Sequence, residues 1–227
     1  MAASPPSPDP GDATRVSNED FLGGPPRLFE RAGREQLIVL LEHGLTFSSR
    51  VLDIGCGVLR GGRWIIPLLD AEHYCGIEPQ ERLVERGLRE FVDPAVIELK
   101  RPRFDHNDRF DFSPFGVRFT HFIARSVWTH ASKPQVESML DGVAEWGAPG
   151  SVLLASWLPA SVLRGRKDYR GTEWVGRSHR SSTAGMIAHR FGWIREAASK
   201  RGLGASRLDR APLTRNGQVW AVIRNPG

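Results

Sequence analysis

The stretch VLDIGCGVLRGGRW, residues 51–64, decides how the rest of the chain is interpreted. Its first four residues, VLDI, are typical of a strand that is buried on both faces of a parallel sheet. Gly55 and Gly57 follow directly, and they let a ligand approach the backbone closely because glycine has no side chain. A helix expected to begin near Gly61 or Gly62 points its amide end toward the same space. The stretch therefore predicts a binding site, open at this stage to a nucleotide, a phosphate or a sulfonium compound.

Strand and helix patterns alternate on both sides of this stretch. Strands are expected at about 50–54, 74–78, 119–124 and 151–157, with one more at either 96–99 or 103–104. We call residues 55–62 the glycine loop. Helices are expected at 31–43, near Pro67 after this loop, at 80–91 and at 183–201. A further helix should run from the capping box SKPQ at 132–135 to Gly147. Two final strands flank Asn216-Gly217, a strong hairpin signal. This order predicts an α/β fold with a doubly wound, mostly parallel, seven-stranded sheet that ends in an antiparallel hairpin.

The composition indicates a short tail and one domain. Residues 1–20 are rich in Pro, Ser and Asp and lack the features of a secretion signal, so a disordered tail is expected. Residues 21–227 are enough for a single α/β domain. No apolar run reaches the ~20 residues of a membrane span, and the two cysteines suggest no disulfide framework. A cytoplasmic protein without membrane contact is expected, and the sequence shows neither a metal-ligand spacing nor an oligomeric state.

Positive charge is concentrated in the last third of the chain. Residues 161–227 carry 14 basic and 4 acidic residues, whereas the formal net charge of the whole chain is +5. Within this region, 158–182 is an irregular segment in which arginines alternate with aromatic residues. Guanidinium groups suit carboxylates and phosphates. We therefore expect 158–182 to be an insertion that binds an anionic ligand, and a solvated basic surface loop is the alternative.

Two acidic residues are placed at the ends of the first two predicted strands. Glu78 lies 21 residues after Gly57, where a carboxylate accepts both hydroxyls of a ribose. Asp53 lies two residues before Gly55 and suits an ammonium group. The dinucleotide fingerprint G-x-G-x-x-G has Arg60 in place of its third glycine here, which disfavours NAD or FAD. A free ribose and a cationic amino-acid moiety together describe S-adenosylmethionine.

The motifs VLDIGCGVLRGG, YCGIEP and ARSVWTH resemble the class I S-adenosylmethionine-dependent methyltransferases over about residues 30–160. The resemblance implies the Rossmann-like methyltransferase fold, S-adenosylmethionine as cofactor, and a loop after the third strand that covers the adenine. The cofactor-binding residues that it implies are Asp53, Gly55, Cys56, Gly57, Arg60, Glu78, Pro79, Asn107, Asp108, Ala124, Arg125 and Ser126. Arg60 would face the cofactor carboxylate or form a surface salt bridge. Leu59 departs from the family pattern, which commonly has a small residue at that position.

In this family the segment after the fourth strand lines the methyl-transfer site. A hydroxyl acceptor benefits from a general base, and His130 has a suitable pKa, although it could instead cap the next helix. The further catalytic candidates are His179 and Tyr169. The residues expected to contact the acceptor are Trp128, Arg170, Trp174 and Arg177. The Asn/Asp-Pro-Pro-aromatic motif of many enzymes that methylate DNA bases or glutamine is missing, which argues against that chemistry.

The sequence thus predicts a methyltransferase that acts by in-line displacement on a polar, anionic small molecule. The acceptor would be a phosphonate, a phosphate, a carboxylate or a sugar hydroxyl oxygen, with natural-product biosynthesis as a candidate setting. An RNA or protein methyltransferase that uses the basic C-terminal face is the main alternative. A nicotinamide-dependent oxidoreductase and a non-catalytic cofactor-binding scaffold are further alternatives.

Overall fold

The computed structural model describes residues 28–176, 185–208 and 217–227. The strands of these residues are β1 (Val51–Ile54), β2 (Tyr74–Ile77), β3 (Arg103–Asp105), β4 (Phe119–Ala124), β5 (Gly147–Pro159), β6 (Ala188–His189), β7 (Gly204–Leu208) and β8 (Val219–Arg224). The helices are α1 (Phe29–Leu41), α2 (Gly62–Ile65), α3 (Glu81–Phe91), α4 (Pro94–Lys100), α5 (Lys133–Trp146) and α6 (Phe191–Ser199). The predicted tail at 1–20 lies outside the described residues.

The strands form one sheet in the order β3-β2-β1-β4-β5-β8-β7. The first five strands of this order are mutually parallel, and β8 is antiparallel to both β5 and β7. The structure therefore confirms the mostly parallel sheet with an antiparallel end, and it adds the short strand β6 beside the end of β5. The strand order reverses between β1 and β4, because β2 and β3 lie on one side of β1 and the later strands lie on the other side. Ligands of such sheets bind at the carboxyl ends of the strands at this switch point.

Two hydrophobic layers cover the two faces of the sheet. On one face Val39 and Leu40 of α1 pack in the same buried cluster as Trp220 of β8. On the other face Leu140 of α5 and Ile194 of α6 share a cluster with the strand residues of β4 and β5. Because helices cover both faces, the carboxyl edge of the sheet is where a ligand can reach the strands. None of the helices in the described part of the chain has the length and apolar character to cross a bilayer.

The predictions for the third strand and the last helix were partly wrong. Of the two predicted sites for the third strand, 103–104 is confirmed, and the strand continues to Asp105. The other site, 96–99, is wrong. The segment 96–99 is helical because Asp93 caps the Ala95 amide at 2.8 Å and Pro94 occupies the first turn. The last helix begins at Phe191, not 183, and Ala188–His189 is a strand.

The remaining predicted turns and caps agree with the structure where it describes them. Ser132 begins α5 with the predicted capping box, in which its amide donates to Gln135 Oε1 at 2.9 Å. Pro67 ends α2, and the chain continues as a short 3₁₀ turn, Ile66–Leu68. The hairpin strands pair from Gly204 with Arg224 to Leu208 with Trp220. Asn216 of the predicted hairpin turn lies outside the described residues.

Helix α1 lies directly on the glycine loop. A Cβ atom added at Gly33 would lie 2.2 Å from the Arg60 carbonyl oxygen, and one added at Gly61 would lie 2.6 Å from Gln36 Oε1. Backbone atoms cannot give way at such a distance, so this close packing requires glycine at residue 33. The packing connects the stability of the domain to the shape of the loop.

We expect Gly33→Ala to destabilise the domain by about 1–3 kcal/mol, because the added methyl group must push α1 away from the loop. Gly192→Ala in α6 is the matched control, since a Cβ atom there would meet nothing within 4 Å. The control should gain up to ~1 kcal/mol from helix propensity. Urea denaturation of the two variants measures both values. Equal stability of the two variants would contradict the packing described here.

Candidate functional site

The glycine loop crosses the end of β2 and leaves space above it. The amides of Gly55 and Cys56 donate to the Ile77 carbonyl oxygen at 2.8 and 3.1 Å. Gly55 and Gly57 have positive φ angles of 72° and 53°, which favour glycine. A Cβ atom at Gly57 would have no atom within 4 Å, so the space there is open. This open space is where a ligand can approach the backbone of the loop.

The carboxylate of Glu78 is fixed beside this space. Its Oε2 accepts the Gly57 amide at 3.2 Å, and its Oε1 accepts the Gln80 amide at 3.1 Å. The residue is 7% exposed. A carboxylate has about four acceptor sites in all, so that Glu78 can serve several donors at once. The glycine loop and the acid predicted to bind one ligand are therefore in direct contact.

Asp53 is buried and receives a hydrogen bond from a residue that the sequence analysis missed. The Tyr74 hydroxyl donates to Asp53 Oδ2 at 2.8 Å. Burial raises the pKa of Asp53 to about 6, against the opposing effects of the Tyr74 hydrogen bond and the positive charge of Arg60. The charge of Asp53 therefore changes close to neutral pH. A tyrosine at the start of the otherwise small and apolar strand β2 was the signal that could have indicated this partner.

Arg60 belongs to a group of buried charges beneath α1. Burial lowers its pKa, while the negative charges of Asp53 and Glu35 oppose that effect. Glu35 is 4% exposed, and its burial raises its pKa against the positive charges of Arg125, Arg31 and Arg60. The Arg60 Nε atom is buried as well. The side chain therefore points inward, within electrostatic reach of Asp53 in β1 and of Glu35 in α1.

Leu59, which departs from the family pattern, is accommodated by two glycines on its neighbours. Its φ angle is 59°, an unusual value for leucine, and its side chain is fully buried. A Cβ atom at Gly87 of α3 would lie 2.9 Å from Leu59 Cγ, and one at Gly62 would lie 3.2 Å from Leu59 Cβ and Cδ2. The absence of side chains at Gly62 and Gly87 thus leaves the room that the Leu59 side chain occupies.

The loop after β3 is ordered by Asn107 and tied to Glu78. Asn107 Nδ2 donates to Asp105 Oδ1 at 2.5 Å and to the Asp111 carbonyl oxygen at 2.8 Å. His106 Nδ1 contacts the Glu78 carbonyl oxygen at 2.8 Å and must donate there, because a carbonyl only accepts. Asp108 is exposed in this loop. The loop predicted to cover the adenine therefore begins beside the acid predicted to bind the ribose.

The segment after β4 reaches across the sheet to β5 and β8. Arg125 Nη1 donates to Ser156 Oγ at 2.9 Å and to Gln218 Oε1, and the guanidinium lies 5.4 Å from the Trp220 ring centroid. Burial lowers the pKa of Arg125 to about 10, and the charge of Arg60 adds to this effect. The Ser126 amide donates to Ser156 Oγ at 2.7 Å. Sequence reasoning missed Ser156 and Gln218, although a serine within the apolar run of β5 was a usable signal.

His130 holds the segment that follows β5 instead of capping a helix. Its Nδ1 donates to the Val175 carbonyl oxygen at 2.6 Å, and the Val175 amide donates to the His130 carbonyl oxygen at 2.9 Å. The ring stacks on Trp174 with centroids 5.8 Å apart. Trp174 is itself 9% exposed. The structure thus brings together two of the predicted residues, His130 and Trp174, near the end of β4.

The other predicted catalytic and acceptor residues lie in different surroundings. Trp128 is fully buried in the hydrophobic core, and its Nε1 donates to Met139 Sδ at 3.1 Å, so its expected role as a pocket wall is wrong. Tyr169 donates through its hydroxyl to the Glu173 carbonyl oxygen at 3.2 Å, and Arg170 is exposed. Arg177 and His179 lie outside the described residues. Residues 177–182 of the predicted insertion lie outside the described residues as well.

No family model and no curated protein sequence matches the chain. Solved structures do share its fold. Magnesium protoporphyrin IX methyltransferase from Synechocystis, solved with bound SAH, matches with a TM-score of 0.60 at 16% identity, over 90% of this chain and 89% of that chain. The N-methyltransferase NodS from Bradyrhizobium japonicum matches with a TM-score of 0.59 at 17% identity, over 88% of this chain and 97% of that chain. A S-adenosylmethionine-dependent methyltransferase from Clostridium acetobutylicum matches with a TM-score of 0.62 at 11% identity, over 88% and 92% of the two chains.

The raised pKa of Asp53 predicts a pH-dependent stability. Because the folded state holds the Asp53 proton more tightly than the unfolded chain, ionisation of this carboxyl destabilises the fold as pH rises from the ordinary pKa of 3.8 through about 6. Asp53→Asn cannot ionise. Its stability relative to wild type should therefore increase by up to about 3 kcal/mol between about pH 4 and about pH 7. Urea denaturation across this range tests the expectation, and a difference that does not change with pH would refute it.

Proposed function

We propose that this chain, whose fold is that of the S-adenosylmethionine-dependent methyltransferases, is itself such an enzyme. The observation that carries the proposal is the contact between the Glu78 carboxylate and the Gly57 amide at the carboxyl edge of β1 and β2. It combines an acid suited to a ribose diol with a loop whose backbone faces open space. When bound there, the cofactor would supply an activated methyl group on its sulfonium.

The residues of the site fit the parts of that cofactor. Glu78 would accept the ribose hydroxyls, and the loop ordered by Asn107 would cover the adenine beside it. Gly57, whose Cβ position is open, would let the methionine part lie against the backbone, whereas a Cβ atom at Gly55 would lie 2.8 Å from Val127 Cγ2. Asp53, in its ionised form, would balance the ammonium group. The remaining expected contacts come from residues around these, namely Cys56, Arg60, Pro79, Asp108 and the backbone of Ala124, Arg125 and Ser126.

The acceptor that we propose is a polar, anionic small molecule, and oxygen is the favoured methylated atom. Arg164, Lys167 and Arg170 are exposed on the segment that follows β5 and make it strongly basic. That segment is joined to the end of β4 through His130 and Val175. In-line displacement requires the acceptor oxygen and the methyl group to be aligned with water excluded, which the chain achieves by binding and orienting the acceptor.

His130 is our candidate for the general base. Because its Nδ1 donates to the Val175 carbonyl oxygen, the neutral ring carries its unprotonated nitrogen at Nε2. A ring fixed in this tautomer can accept a proton from an acceptor hydroxyl. Tyr169 and His179 are secondary candidates, and an acceptor that is already anionic at its reacting oxygen would need none of them.

The nicotinamide alternative is disfavoured by the helix that follows the glycine loop. Dinucleotides place their pyrophosphate on the N-terminus of a helix at this position. Here α2 is four residues long and passes directly into the 3₁₀ turn at Pro67. One helical turn offers a weak dipole, and the Arg60 side chain points inward beside it. The RNA or protein methyltransferase alternative depends on the exposed basic residues, and RNA binding with a steep salt dependence would support it.

Glu78→Gln should weaken binding of S-adenosylhomocysteine, the demethylated cofactor, by about 1.5–3 kcal/mol, because the charged acceptor of the ribose hydroxyls is lost. Glu81→Gln is the matched control, since Glu81 is an exposed acid three residues away on α3. Isothermal titration calorimetry measures both affinities, and thermal unfolding checks that each variant is folded. An affinity that is the same in the two variants would refute the ribose role. Tight binding of NAD by the wild type, without binding of S-adenosylhomocysteine, would refute the proposed function.

His130→Asn should lower kcat by about 10²-fold or more if His130 is the base. Asparagine keeps a donor for the Val175 carbonyl oxygen but cannot take up the proton, so the segment that follows β5 should stay in place. The rate is measured as release of S-adenosylhomocysteine with an anionic hydroxylated acceptor that the wild type uses. The acid limb of the pH–rate profile should disappear in the variant. An unchanged rate across pH would leave His130 with its structural role alone.

A further inference from the structure

Two arginines flank the beginning of β8 and have neutral partners. Arg125 contacts the Gln218 side chain, together with the hydroxyls of Ser126 and Ser156. Arg166 contacts the carbonyl oxygen of the preceding residue, Gly217, through its Nη1 at 3.5 Å. The Nε atoms of both arginines are buried and have no hydrogen-bond partner. The two guanidinium groups therefore contact consecutive residues, and the Nη2 atom of each, which is neither hydrogen-bonded nor among the buried unpaired atoms, is left for a ligand.

The charges of these two arginines are poorly balanced by the protein. Within the described residues, the ion pairs with N···O distances up to 4 Å involve other arginines and lysines, not Arg125 or Arg166. Glu35 acts on Arg125 from a greater distance, and the positive charge of Arg60 opposes it. Both side chains are half-buried, and a guanidinium partly removed from water without a paired anion is costly. An oxyanion that bound to the Nη atoms would relieve that cost.

The position of the arginine pair separates it from the ribose end of the cofactor site. Glu78 follows β2, whereas Arg125 follows β4, Ser156 lies in β5 and Gln218 directly precedes β8. Three strand spacings separate β2 from β5, which corresponds to about 14 Å. The pair thus lies at the part of the carboxyl edge formed by β4, β5 and β8, away from the acid proposed to bind the ribose. In a site that aligns an acceptor with the methyl group, this is where the acceptor must extend.

We propose that Arg125 and Arg166, with the side chains of Ser156 and Gln218, bind an oxyanion group of the methyl acceptor, either a carboxylate or a phosphate. The inference rests on the proposed function and adds to it the part of the molecule that recognises the acceptor. Guanidinium groups bind both kinds of oxyanion through short, charge-assisted hydrogen bonds, and here the Nη2 atoms of the two arginines are the donors suited to that role. The exposed Arg170 is a weaker candidate for this role, because water and salt screen its charge.

The test uses the full chain saturated with S-adenosylhomocysteine, titrated calorimetrically with inorganic phosphate and, separately, with benzoate at constant ionic strength. We expect saturable 1:1 binding of at least one probe. Arg125→Gln and Arg166→Gln should each weaken it about tenfold or more. Arg195→Gln is the matched control, since Arg195 is exposed on α6, and it should leave the affinity of the probe unchanged. A preference for phosphate or for benzoate indicates which oxyanion the acceptor carries.

Two results would overturn the inference. The first is that neither probe binds saturably to the wild type, or that both arginine variants bind it as well as Arg195→Gln does. The second is that Arg125→Gln lowers the affinity for S-adenosylhomocysteine about tenfold but does not change the affinity for methylthioadenosine, which lacks the carboxylate. That result would assign Arg125 to the cofactor carboxylate. If Arg125→Gln does not fold, the titrations of Arg166→Gln and of the wild type still test whether the arginine pair binds the oxyanion. Failure of the wild type to bind S-adenosylhomocysteine would refute the proposed function instead, and probe binding is then measured without it.

Discussion

The hydrogen bond from the Gly57 amide to the Glu78 carboxylate is the contact on which the site depends, because it fixes the loop after β1 against the end of β2. The other carboxylate oxygen accepts the Gln80 amide at the start of α3. The Glu78 amide donates to the Asp105 carbonyl oxygen, and the Glu78 carbonyl oxygen accepts from His106, so β3 and the loop after it are joined to the same residue. One side chain and its peptide groups thus bring three separate segments of the chain to one point.

Burial acts on the charges beneath α1 in a consistent direction. It raises the pKa of the acids Asp53 and Glu35 and lowers the pKa of Arg60 and Arg125, so that each group is driven toward its neutral form. The charge of Arg60 opposes this effect at Asp53 and Glu35, and those two acids oppose it at Arg60, whereas at Arg125 the charge of Arg60 adds to the effect and that of Glu35 opposes it. The group is thus sensitive to any charged ligand that enters, since a ligand charge of either sign shifts the balance of several buried groups together. A zwitterionic amino-acid moiety, which we propose at this end of the site, would therefore act on several of these groups at once.

Local sequence patterns predicted most of the fold and part of the site, and the failures have physical causes. Hydrophobic periodicity and glycine spacing located the parallel strands, the capping box, and the positions of the glycine loop and Glu78 at the ends of β1 and β2. The segment 96–99 was ambiguous because a short apolar run fits a strand or a helix, and the cap at Asp93 decided it. Trp128 was misjudged because burial depends on the packing of α5. The network around Ser156 requires Gln218, 62 residues away, which only the antiparallel pairing of β5 with β8 brings near.

The arrangement at Leu59 has a consequence for how this chain can diverge from others of the same fold. A glycine at residue 59 would suit the backbone, but it would empty the space that the leucine side chain fills. A Cβ atom at Gly87 would meet the Val58 backbone at 2.6 Å before Leu59, and one at Gly62 would meet the Tyr74 hydroxyl at 2.7 Å before Leu59. Both glycines would therefore still be required if residue 59 became small, and they could not refill the space that the leucine leaves. A change back to a small residue at 59 thus opens a cavity that no single neighbouring substitution among these glycines can close.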